Sequence, residues 1–127
     1  MGNINLFAVL VAAASTFILG GIWYSPILFF KPWVKAAGRP PRMNPLVFIV
    51  SLIFALVAAT AFAILLGPRP TLDYAVEWGA IVGVCFAATS LGVNYAFAGR
   101  GLTLWAIDSG YHVVRFILFG VILGLWH

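Results

Sequence analysis

"LWAIDSGYHVVRF", residues 104–116, sets an aspartate, a histidine and an arginine inside a stretch otherwise apolar enough to cross a bilayer. Read as a helix, the stretch brings Asp108, His112 and Arg115 within about 60° of one another, with Tyr111 beside them. The charges therefore form one stripe. Central Leu, Ile, Val or Phe residues favour insertion by roughly 0.3–0.6 kcal/mol each, whereas a central Arg or Asp opposes it by about 2.5–3.5 kcal/mol. Arg115 falls almost at mid-length, so the segment needs its stripe covered by a bundle interior, a subunit seam or a wet cavity.

The rest of the 127-residue chain has the same character: 64% of it is hydrophobic and 8% charged, against roughly one quarter charged in soluble domains. Apolar stretches over residues 4–24, 45–66, 74–97 and 103–126 are each long enough, at about 1.5 Å per residue, to cross about 30 Å of hydrocarbon. Together they leave no room for a soluble catalytic domain. The expectation is an all-α polytopic membrane protein, one domain of four transmembrane helices in contact with the lipid bilayer. Lys31, Lys35, Arg39 and Arg42 fall in the first connection and Arg100 in the third, against Arg69 alone in the second. By the positive-inside rule both termini lie on the non-cytoplasmic side of the cell membrane. The net charge of +4 serves topology and attraction to anionic headgroups rather than nucleic acid.

Pro26 ends the first helix near Ser25, which places Trp23, Tyr24 and Trp33 as an aromatic belt at headgroup level. Residues 31–45 hold four prolines and read as an extended, stiff connection. Pro45 suits the first position of the second helix. "AGRG", residues 98–101, makes a tight hairpin, so the last two helices are antiparallel neighbours. Small residues recur at four-residue spacing: Ala12, Thr16 and Gly20; Ala55, Ala59 and Ala63; Gly79, Gly83 and Ala87; Gly120 and Gly124. Such ladders let helix backbones approach closely, within one chain or between copies. A faint echo, "GIWY" at 21–24 and "GVNY" at 92–95, ends two helices on the same side.

The stripe admits several readings. Asp108 and His112, four residues apart, have the spacing of two metal ligands, but a site needs about two more, and the other histidine, His127, lies toward the opposite surface. His112 suits a proton relay or pH sensor. The stripe also suits a pore or substrate pocket, or a buried network that fixes helix register. Asp108 and Arg115 are about 10 Å apart along the axis, too far for a direct ion pair, so His112 is a candidate bridge. Asn94 reaches the depth of Asp108 across the hairpin and shares a face with Gly79, Gly83, Ala87 and Ser90, which makes it the expected partner. Tyr24 and Tyr95 read as belt residues within reach of the same cluster. Cys85 reads as a small apolar residue. No hydrolytic triad or phosphate-binding glycine loop is present, so neither an enzyme nor a cofactor is expected.

"GGIWYSPILFFKPW" at 20–33, "NYAF" at 94–97 and "IDSGYH" at 107–112 resemble a bacterial family of small four-helix membrane proteins known as domain of unknown function 1761. The resemblance spans almost the whole chain and implies an integral membrane fold without an assigned activity. If the family's hallmark positions form one site, the matching residues are Trp23, Tyr24, Ser25, Pro26, Asn94, Tyr95, Asp108, Tyr111 and His112. Arg115 lies outside that pattern. The leading expectation is a small homo-oligomeric channel or transporter-like protein for a small ion or proton, with Asp108, His112 and Arg115 along its polar path. The alternative is a non-transporting accessory subunit of a larger membrane assembly.

Overall fold

The computed structural model describes residues 4–126, and all regular structure within them is helical. Helix α1 runs Leu6–Trp23, α2 Phe30–Ala37 and α3 Pro45–Leu66. Then come α4, Leu72–Ile81, a π-helical segment, Val82–Ala88, and α5, Thr89–Ala98, which form one continuous rod ahead of α6, Leu102–Leu125. Four of these units are long and apolar enough to cross a membrane: α1, α3, the rod Leu72–Ala98, and α6.

Local chemistry sets the helix ends. The Asn5 side chain accepts the Ala8 N–H at 3.1 Å and opens α1. Asn44 does the same for Val47 at 3.0 Å, with Pro45 just inside the helix, where it has no N–H to lose. Thr71 caps α4, and Asp73 in its first turn faces the positive end of the helix dipole. Gly99 and Gly101 both take positive φ, which lets three residues reverse the chain between α5 and α6.

The first connection differs from the extended segment expected of it, because α2 occupies its first half. Pro32 sits in the first turn, where a missing N–H breaks nothing. Phe30, Trp33, Val34 and Ala37 share one face, with Lys31 and Lys35 on another, so the helix has an apolar side to lay on the bundle.

Helix α6 is the hub, packing on α4, the π segment, α1 and α2. Its contact with the rod is backbone to backbone. A Cβ on Gly79 would run into the Phe116 carbonyl, and one on Gly83 would lie 2.6 Å from the Val113 Cα. In return, a Cβ on Gly120 would strike the Ala75 carbonyl, and one on Gly124 would lie 2.9 Å from the Leu72 Cα. Residue numbers fall on one helix as they rise on the other, so the two are antiparallel. All four glycines are spent inside this chain.

The core lies toward the termini and the second connection. Ala8, Val9, Ala12 and Ala13 of α1 meet Ala55, Ala59, Phe62, Ala63 and Leu66 of α3, with Ala75, Phe119 and Leu123 closing the cluster. On α1 the buried positions stop at Thr16, and on α3 they begin at Ala55. Beyond those levels the two helices splay, and the first half of α3 turns Leu46, Ile49 and Ile53 outward. This splay leaves open space beside the middle of α6.

Candidate functional site

The polar side chains of α6 divide into two groups with different surroundings. Asp108, near the hairpin, gathers donors from three other elements. The Tyr24 hydroxyl donates to its Oδ1 at 2.6 Å, the Trp33 indole N–H donates to the same oxygen at 3.0 Å, and the Tyr95 hydroxyl donates to Oδ2 at 2.5 Å. A carboxylate offers about four lone-pair sites, so three donors come close to saturating it. The ends of α1 and α5 and the whole of α2 are thereby tied to one residue of α6.

Two neighbouring contacts brace this knot. The Trp23 indole N–H donates to the Ile107 carbonyl at 2.9 Å, and its ring lies so close to Gly110 that a Cβ there would come within 2.8 Å. Tyr111 passes over Gly20 and donates to the Thr16 carbonyl at 3.1 Å, which pins α6 to α1. Trp23, Tyr24 and Trp33, read from sequence as a belt with Tyr24 in reach of the polar cluster, all donate hydrogen bonds to α6. Ser25 only returns its hydroxyl to the Ile22 carbonyl at 2.7 Å, and Pro26 is exposed. Neither reaches the knot.

Asn94 is not a partner of Asp108: it is exposed, and the adjacent Tyr95 takes the place expected of it. The π segment is the cause. Its wider turn inserts one residue, so the face toward α6 passes from Gly79 and Gly83 to Ala88, Gly92 and Tyr95 instead of Ala87, Ser90 and Asn94. Ala88 is buried, a Cβ on Gly92 would lie 3.2 Å from the Trp105 indole nitrogen, and Ser90 is exposed. The Trp105 N–H donates to the Ala88 carbonyl at 2.9 Å, and the Thr89 and Ser90 hydroxyls donate to the carbonyls of Cys85 and Phe86 at 2.7 and 2.5 Å. Tyr24 and Tyr95, the last residues of the two echoing tetrapeptides, hold opposite oxygens of the same carboxylate.

His112 does not bridge Asp108 to Arg115. Its Nδ1 lies 2.9 Å from Nη1 of Arg115. A guanidinium carries donors only, so Nδ1 accepts, and Nε2–H remains as the ring's free donor. The Asp108 oxygens are engaged elsewhere, so the two possible metal ligands do not converge. Among the described residues no three His, Cys, Asp or Glu side chains do so; His127 lies outside that range. Arg115 also stands over the Phe116 and Phe119 rings, with centroids at 5.2 and 5.4 Å. Its buried Nε–H has no hydrogen-bond partner among the described residues.

The space left by the splay is a cavity of about 720 Å³ between α1, α3 and α6. Phe17, Val47, Phe48, Phe54 and Ala55 supply most of its apolar wall; Tyr111, His112 and Arg115 line it from α6, and residues 40–43 border it after α2. The residues alone placed Trp33 in the belt rather than on Asp108, did not point to Trp105, and offered a pocket beside the stripe without its walls on α1 and α3. The Phe30, Trp33, Val34 and Ala37 spacing was a usable sign of α2. No local signal marks the cavity, because it arises from the divergence of two helices.

A family model described as a protein of unknown function (DUF1761) matches residues 7–124. No curated protein and no solved structure matches the chain.

Proposed function

The chain belongs to the DUF1761 family of proteins of unknown function, and we propose that it is a multi-pass protein of the cell membrane, both termini outside, with a transporter-like task. On this reading it takes a small, largely apolar molecule into the cavity between α1, α3 and α6. The cavity is the observation that supports this most. Its volume, about 720 Å³, is in the range of small-molecule sites, which pair apolar walls with a few convergent polar groups. Depth agrees with it, since transporter sites sit near the bilayer midplane and Arg115 is near mid-length of α6. A purely structural network accounts well for Asp108 and gives no reason for the open space.

A photoreactive decanol carrying a diazirine tests the proposal on protein in nanodiscs of zwitterionic lipid. The expected result is saturable labelling concentrated on Phe17, Phe48 and Ser51, reduced about tenfold or more when Ser51→Trp fills the space. Labelling spread evenly over outward residues such as Phe97 and Leu102, at any concentration, would sink it.

The second reading is a homo-oligomeric channel. In its favour is the open rim of the cavity, where Met43 and Phe54 are 70% and 67% exposed, so that facing copies would join their cavities. Such a channel makes liposomes leaky to protons or small ions, and His112→Ala changes that flux. Equal leak from protein-containing and empty liposomes rules it out.

A further inference from the structure

The charges around the cavity are all of one sign. Arg42, exposed at its mouth, and Arg115, at its inner wall, both line it, and among the described residues no Asp or Glu does. Arg115 spends one of its five N–H groups on His112, has a buried Nε–H without a partner, and otherwise meets the faces of two phenylalanine rings. The carboxylate nearest in sequence on its helix, Asp108, is taken up by Tyr24, Trp33 and Tyr95. A guanidinium stays ionised under all ordinary conditions, and a lone charge at this depth is the costliest arrangement available to an apolar bundle. Something outside the described residues must balance it.

We propose that the cavity binds an amphiphile with an acidic head, a carboxylate or phosphate on an alkyl tail, whose head meets Arg115 and whose tail lies against Phe17, Phe48 and Phe54. The proposal rests on the cavity being a ligand site, as set out above. Arginine suits the role because its planar fork offers paired N–H groups to a carboxylate or phosphate. Arg115 and His112 line the cavity side by side, and the Nη groups of the cation and the Nε2–H of the ring are the donors left to meet the head, the Tyr111 proton being held by the Thr16 carbonyl. Apolar wall and alkyl tail match in the same way: most of the lining toward α3 is Phe, Val, Ala and Met. Arg42 at the mouth draws an anion in from the side expected to be cytoplasmic.

The test compares two photoreactive probes of equal length, diazirine-bearing decanoate and diazirine-bearing decanol, on the full chain in zwitterionic nanodiscs. The wild-type protein is expected to reach half-maximal cavity labelling with decanoate at a concentration about tenfold or more below that for decanol. Arg115→Gln is expected to abolish that difference while leaving decanol labelling in place, and Arg115→Lys to retain part of it. Phosphatidylglycerol added to the disc either displaces decanoate, which makes the ligand a bilayer lipid, or leaves it bound, which makes it a free acid; both support an acidic head. Equal wild-type affinity for the two probes overturns the acidic head and leaves the cavity reading intact. Absence of cavity labelling by both probes overturns the cavity reading itself. The wild-type comparison needs no variant, so a misfolded Arg115→Gln protein does not shelter the proposal.

Discussion

Asp108 shares two oxygens among three donors from three elements, and that geometry defines what single substitutions do. A hydrogen bond to a charged group contributes about 1.5–3 kcal/mol in water-soluble proteins, while measured values between transmembrane helices average about 0.6 and reach about 1.7 kcal/mol. Tyr95→Phe and Tyr24→Phe are each expected to destabilise the fold by about 1 kcal/mol in bicelles, measured by steric trapping. The double substitution should exceed the sum of the two, because the carboxylate then keeps Trp33 alone. Asn94→Leu, one residue from Tyr95 and facing outward, should change stability by less than about 0.5 kcal/mol. An Asn94 effect as large as that of Tyr95 would contradict the contact geometry.

At the scale of elements, two devices position the site. The first is the π segment Val82–Ala88, which moves the inward face of the rod by one residue and so selects Tyr95. The second is the glycine seam between α4 and α6, which brings backbones into contact and holds α6 at the depth where Asp108 meets the end of α1. A side chain forced into that seam must push the helices apart. Gly120→Ala is therefore expected to destabilise by about 1–3 kcal/mol, net of the helix propensity gained. Gly21→Ala is the matched control: nothing lies within 4 Å of its Cβ, so the change should be neutral or stabilising by up to about 1 kcal/mol. Comparable losses in both, under the same unfolding assay, would mean that the seam does not carry the contact.

For the whole molecule, the core fills one half of the bundle and the site runs from its middle to the other end. Small residues pull α1 and α3 together where Ala8, Ala12, Ala55 and Ala59 meet, and larger ones, Phe17 and Phe48 with ring centroids 6.3 Å apart, stand where the helices have parted. Residues 40–43 and α2 lie over the open end, and α2 is itself tied to Asp108 through Trp33. The proposed orientation places this end in the cytoplasm. In a Cys85→Ser background, a membrane-impermeant maleimide added to intact cells should label Arg69→Cys, and should label Lys35→Cys only after permeabilisation. The reverse pattern would invert the topology and put the cavity mouth outside.

Four long apolar helices, the tight hairpin between the last two and the start of α3 at Pro45 were legible in the residues, because hydropathy, breaker positions and helical rise are properties of short stretches of chain. The common stripe of α6 followed from the same periodicity. The choice of Tyr95 over Asn94 did not follow, since one π turn upstream shifts every later position and the helical period alone does not mark where such a turn falls. Nor did the inward turn of Trp23, Tyr24 and Trp33, the separation of Arg115 from Asp108, or the cavity. Those depend on where three helices diverge, which is decided by the sum of side-chain volumes at facing positions and is carried by no single segment.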